Sequence, residues 1–213
     1  MGIMKNGPHG PVYGKVGNLV TYRVLNKDVV RMVGENNRGP SVKQLVCRQQ
    51  MGVVISFLKP IVGFINVGFK VEAARASVYA HNMAVSYNKK FGLQGVYPDA
   101  SIDYSKVLVA HGGLPVAVDA AVSMVAEGLR FSWATGSWMD FAERRHIAMI
   151  MAYFPELGRA AYCMNGATRY EGTDVLYLPD DLKSAYMETY LSFMEVGTNE
   201  VADSVYLGRW PML

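Results

Sequence analysis

The chain has 213 residues, 51% of them hydrophobic, 18% charged and 11% aromatic, with a formal net charge of +3. That length supports one large domain or two small ones with a real core, and the modest charge excludes a disordered or solenoid-forming chain. The small net charge hides a division: residues 1–90 hold eight Lys and five Arg against Asp28, Glu35 and Glu72, a surplus of +10, while residues 91–213 carry −7. A basic half can meet nucleic acid, an anionic surface, or the acidic half of a second copy.

Two further compositional facts narrow the class. Cys47 and Cys163 stand far apart and fit no metal or redox spacing, so both read as buried thiols of a reducing compartment. Met1 to Pro8 lacks the apolar core of a signal peptide. The longest apolar stretch, Met51 to Phe69, is interrupted by Ser56, Lys59-Pro60 and Asn66, and a Lys-Pro step at the centre of a membrane span is costly. The expectation is a cytoplasmic protein with no membrane partner.

In chain order, glycines 7, 10, 14 and 17 punctuate the start. Two strands follow, Val16 to Val24 and Asp28 to Val33, joined by Leu25-Asn26-Lys27; their β-branched and aromatic content predicts a hairpin. A polar connector, Gly34 to Pro40, leads to Ser41, which caps a helix through Leu45, Val46, Gln49, Val53, Phe57 and Leu58. Pro60 ends or kinks that helix. A further helix is predicted over about Ala74 to Phe91, with Val78, His81, Val85 and Asn88 along one stripe.

After Pro98 the hydrophobic period changes from helical to two. Seven strands are predicted: Lys106 to Ala110, Ser123 to Trp133, Ile147 to Phe154, Ala160 to Met164, Thr173 to Leu178, Met187 to Val196 and Val201 to Leu207. Short strands separated by turn signals such as Asn165-Gly166 and Gly197-Thr198-Asn199 indicate a β-sandwich. Leu129-Arg130-Phe131-Ser132-Trp133 resembles the second strand of fibronectin type III domains, whose Trp packs into the core. Tyr190 to Met194, with Gly197 and Ser204-Val205-Tyr206, resembles their last hairpin. The predicted fold class is therefore α+β: an N-terminal β-hairpin plus helices over residues 1–98, then a fibronectin-type-III-like antiparallel β-sandwich over 99–213.

Catalytic chemistry finds no anchor. Gly10 to Val16 has too few residues between its glycines for a phosphate loop and no hydroxyl after Lys15, so these glycines read as turn formers. His9, His81, His111 and His146 are isolated; His81 reads as a core or boundary residue and His111 as a turn residue. Asp180-Asp181 reads as a turn or helix cap, and Glu143 to His146 as a solvated, self-compensating patch. No catalytic residue, cofactor or metal is implied, and the chain reads as a non-enzyme.

Binding residues are easier to nominate. Lys15, Arg23, Lys27, Arg31, Arg38, Lys43 and Arg48 fall on the hairpin, its connector and the next helix, with Tyr13 and Tyr22 interleaved. A twisted basic ribbon can track phosphates while tyrosines stack on bases, and the same charges serve as edge protection on strands. Trp138 and Phe141 occupy an inter-strand loop, and Trp210 opens an apolar tail; loop aromatics suggest protein contacts or intramolecular docking.

Gly14 to Val20, Val29-Val30-Arg31, Gln44 with Arg48, Phe57 to Pro60, Ala84 to Asn88, Ile102 to Val107, Gly113-Leu114-Pro115, Gly166 to Arg169 and Ser204-Val205-Tyr206 together resemble an uncharacterised Bacteroidota family of about this length. That resemblance spans nearly the whole chain and implies no activity. Residues 10–60 also resemble short phage- and prophage-encoded proteins, which implies a virion or assembly role. The expected function is a non-catalytic structural or assembly protein whose partners are itself or other subunits. The alternative is a sequence-independent nucleic-acid binder using the basic hairpin.

Overall fold

A computed structural model describes residues 2–3, 12–35 and 39–211. The chain divides into two units, Met1–Gln44 and Leu45–Leu213.

In the first unit four short segments form an antiparallel sheet: β1 (Gly2–Ile3), β2 (Gly14–Val16), β3 (Leu19–Val24) and β4 (Lys27–Met32), in the order β1-β4-β3-β2. Leu25 and Asn26 turn β3 into β4 with φ of 44° and 62°, the positive pair that a two-residue hairpin turn requires. The predicted strand from Val16 is interrupted at Gly17, whose φ of +57° folds β2 back along β3 instead of prolonging it. Among the described residues of this unit, only Val29 is a buried hydrophobic side chain.

The helix α1 (Val42–Leu58) starts on a capping box: the Ser41 N–H donates to Gln44 Oε1 at 2.9 Å, and the Gln44 N–H donates to Ser41 Oγ at 3.4 Å. Pro60 sits in a 3-10 turn, Lys59–Ile61, that redirects the chain into α2 (Val62–Gly68). Then come α3 (Lys70–Arg75) and α4 (Ala80–Phe91). One helix was expected over Ala74 to Phe91, but the chain breaks at Ser77, which takes φ +53°. The Ser77 and Val78 N–H groups close back on Ala74 O and Ala73 O, a Schellman turn that satisfies the end of α3.

A small pair, β5 (Leu93–Gln94) and β6 (Ser101–Ile102), precedes the sandwich. The strand expected at Lys106 to Ala110 does not form. Its backbone is instead met by side chains: Asn88 both donates to Leu108 O and accepts from Leu108 N–H, each at 2.9 Å, and Ser204 Oγ accepts from Val109 N–H. The single strand expected over Ser123 to Trp133 is a hairpin, β7 (Ala121–Val125) and β8 (Gly128–Ser132). Gly128 makes this turn possible: its φ is +152°, and a Cβ there would collide with Leu176 O.

The remaining strands are β9 (Ile147–Phe154), β10 (Arg159–Cys163), β11 (Thr173–Tyr177), β12 (Met187–Met194) and β13 (Val205–Trp210), with α5 (Asp180–Lys183) before β12. They build a four-stranded sheet, β10-β9-β12-β13, and with the hairpin a three-stranded one, β11-β8-β7. Alternate residues of β9 serve two cores. Met149, Met151 and Tyr153 pack with Phe57, Phe64 and Ile65 of α1 and α2, whereas Ala148, Ile150 and Phe154 pack with Leu129, Phe131 and Leu176 of the other sheet. The four-stranded sheet is thus the middle of three layers, and β9 and β12 are apolar runs because both their faces are buried. The Trp expected in the core is there: Trp133 meets Phe193 edge-on at 5.3 Å.

The fold is α+β, as the sequence indicated. The helices after residue 45 share a core with the middle sheet, whereas the sequence grouped them with the hairpin in a unit ending at residue 98. The helical run Val42–Gly68 is long and apolar enough to cross a membrane, yet Phe57, Leu58, Ile61, Phe64 and Ile65 are buried in the core it shares with the middle sheet. Cys47, expected to be buried, is exposed, and Lys89 Nζ lies 3.1 Å from its sulfur; Cys163 is half-buried, and both are free thiols.

Candidate functional site

The register of the N-terminal sheet decides which nominated cations can act together. Lys15 pairs with Val20 and Val20 with Arg31, so Lys15 and Arg31 share a face, and Lys27, opposite Val24, lies on that face too. Tyr22 stands among them, opposite Val29. Arg23 points to the other face, where its guanidinium lies 3.9 Å from Asp28, whose carboxylate also accepts from the Tyr13 hydroxyl. Lys43 is exposed on the first turn of α1, and Arg48 is exposed on the same helix within the second unit. Arg38 lies outside the described residues. Among the described cations of the sheet, Lys15, Lys27 and Arg31 therefore share one face and Arg23 stands on the other.

On that other face a second row crosses three strands: Val16 pairs with Leu19 and Leu19 with Met32. Val16 is 63% exposed and Met32 68%. Sequence patterning alone does not flag this row, because its members come from three separate segments.

In the β8–β9 loop Trp138 is 55% exposed and Phe141 77%, with the Arg145 guanidinium 5.8 Å from the Phe141 ring. Trp210, the third nominated contact, is instead a β13 residue opposite Met187 and packs against the inter-sheet core. Glu143 to His146 is not a solvated patch. Glu143–Arg145 forms a 3-10 turn and His146 is buried, its Nδ1 without a partner among the described residues. Burial, then Arg169, holds the His146 imidazole below its ordinary pKa.

Two polar clusters escaped the sequence reading. Arg169 is buried against the Phe193 ring, 4.4 Å away, and donates to Pro115 O and Val116 O at 2.7 Å, with Glu143 at 3.3 Å. Glu188 is buried on the helix-facing side of β12 and accepts hydrogen bonds from Tyr186 and Tyr206. Burial pushes the Tyr186 phenol up to about 12, with the Glu188 bond adding to it, and the same causes raise Tyr206. Both clusters are satisfied internally and read as core.

A third arrangement opens onto solvent. The His111 Nδ1 lies 2.7 Å from Asp203 Oδ1, which also accepts from the Gly112 N–H. The His111 backbone N–H donates to Gly68 O. Its ring is flanked by Phe69 and Tyr87, with centroids at 6.0 and 5.4 Å. It forms one wall of a cavity of about 370 Å³ against α4. Burial, then Asp203, raises the Tyr87 phenol above its ordinary value. His111, expected as a simple turn residue, is a held imidazole beside a cavity. Only its neighbouring glycines hinted at this, since Asp203 is far away in sequence.

Among the described residues no three His, Cys, Asp or Glu side chains group closely enough to hold a metal ion. Fold and sites together define an α+β protein of two units, a thin basic sheet and a helix-backed two-sheet sandwich. The chain belongs to a family of unknown function (DUF6266), whose model matches residues 11–208. No curated protein and no solved structure matches the chain.

Proposed function

We propose that this is a non-catalytic structural protein that works by self-association through its N-terminal sheet. The carrying observation is the exposed row Val16–Leu19–Met32 on a sheet whose only buried hydrophobic residue, among those described, is Val29. A sheet needs an apolar face covered to be stable on its own, and small units lacking a core usually gain one by association. Charge contributes less than the halves of the sequence suggested. Divided at residue 44, the first unit carries seven cations against Asp28 and Glu35, and the remainder is nearly neutral.

The order β10-β9-β12-β13 over β11-β8-β7 supports the fibronectin type III likeness, and such sandwiches commonly serve as binding or spacer modules, an analogy of fold alone. The likeness of residues 10–60 to phage-encoded proteins extends the proposal to a virion or prophage assembly; otherwise the setting is the cytoplasm.

Light scattering after size-exclusion chromatography tests the reading. The chain should form discrete oligomers, and the double variant Leu19→Glu, Met32→Glu should reduce them to monomers. A wild-type chain that stays monomeric at high concentration sinks it.

The second reading, nucleic-acid binding, draws on Lys15, Lys27 and Arg31 sharing a face with Tyr22. It predicts binding that weakens steeply with salt and falls on reversing Lys15 and Arg31 to Glu. Arg23, tied to Asp28 on the opposite face, should matter little. Binding unchanged in the Lys15, Arg31 variant removes this site.

A further inference from the structure

We propose that the cavity between α4 and His111 binds a small monocarboxylate with an apolar body. The register of α4 builds two adjacent stripes along this wall. Met83, Tyr87 and Phe91 recur every four residues and form an apolar floor, with Val78 closing one end. Asn82, Ser86 and Lys90 recur at the same spacing one position earlier and line the same cavity. Each of those three carries a hydrogen-bond donor, and Lys90 adds a positive charge. Its ammonium stands 4.8 Å from the Phe91 ring centroid, where floor and polar stripe meet.

The opposite wall is held in place before any ligand arrives. Asp203 engages the His111 Nδ1, Gly68 O takes the His111 backbone N–H, and Phe69 and Tyr87 flank the ring. Among the described residues the imidazole's committed atom is Nδ1, which leaves the Nε2 edge to a ligand. Gly68 is needed for this approach, because a Cβ there would press on Val109 O and Ala110. A volume of about 370 Å³ lies in the range of small-molecule sites, as does the mixture of an apolar lining with a few convergent polar groups. An apolar body laid along Met83, Tyr87 and Phe91 brings a terminal carboxylate to Lys90 and Ser86. A cation would meet the Lys90 charge, and an uncharged hydrocarbon would gain nothing from that charge or from the polar stripe.

This inference is independent of self-association. Calorimetric titration of the full chain with 3-phenylpropionate, and with uncharged 3-phenylpropanol, tests it. The acid should bind saturably with a Kd below about 1 mM, and the alcohol at least tenfold more weakly. Lys90→Met should weaken the acid about tenfold. Ser86→Trp, at an exposed helix position, should fill the cavity and abolish binding while leaving Tm within about 2 °C. No binding of the acid overturns the proposal, as does equal binding of acid and alcohol, or binding that survives Ser86→Trp.

Discussion

The N-terminal sheet and the sandwich are both antiparallel, yet they are held by different physics. In the sandwich, β9 and β12 bury both faces, and side chains from two sheets and the helices interlock around Phe64, Phe131 and Phe193. In the N-terminal sheet cross-strand pairing is complete from Leu19↔Met32 to Val24↔Lys27, but Leu19 and Met32 are exposed and Val20, Tyr22, Val24 and Val30 are only half-buried. Backbone pairing gives a strand its partner, whereas burial gives a sheet most of its stability. Substitutions should therefore be costly in the second unit and nearly silent in the first, unless the first is covered by a partner.

The largest effect is expected at Arg169. Arg169 itself is buried and Glu143 nearly so; Arg169→Ala leaves Glu143 without its cation and the Pro115 and Val116 carbonyls without their donor, so the second unit should lose about 3–5 kcal/mol. Urea unfolding followed by Trp133 fluorescence measures it, and a loss under about 1 kcal/mol would mean that solvent reaches the site. Next, Asn88→Leu removes both partners of the Leu108 backbone and should cost about 2–3 kcal/mol, with faster amide exchange at Leu108.

Alkali should separate the two regions as well. Burial pushes the Tyr186 phenol up to about 12 in the folded chain, against about 10 for an unfolded tyrosine. The folded state then holds the proton more tightly, so this contribution is complete below pH 10 and is lost as pH rises through the folded value. Urea midpoints for the second unit should fall from pH 10 upward, while phenolate absorbance from Tyr186 and Tyr206 stays low. The N-terminal sheet holds its described tyrosine–carboxylate pair, Tyr13 with Asp28, at the exposed surface rather than in a core.

The smallest effect is expected at Val29. Val29→Ala removes the sheet's one described buried hydrophobic residue at a cost of about 1 kcal/mol, confined to the first unit, and leaves the main unfolding transition unmoved. A shift of that main transition would show that the two units unfold together.

Most strands and the α+β class were legible because their signals are local. Alternation, β-branched content and turn residues placed β9, β10, β11 and β12 within a residue or two. The cap at Ser41 was readable for the same reason, since donor and acceptor lie three residues apart. Local signals failed where a distant group supplied the partner. Lys106 to Ala110 looks like a strand, but Asn88 and Ser204 take its hydrogen bonds. The sites divide in the same way: the exposure of Phe141 was readable from its loop, whereas the His111–Asp203 pair joins residues 92 apart.

The sequence by itself determined the class of fold, the turn at Leu25-Asn26 and the cap at Ser41. Only the tertiary structure decided that the helices back the sandwich, that Arg23 opposes Lys15 and Arg31, and that His111 faces a cavity. Periodicity and turn chemistry act over a few residues and are written in the order of the chain. Which faces meet, and which charges share a side, depends on strand register and on layers joined across tens of residues.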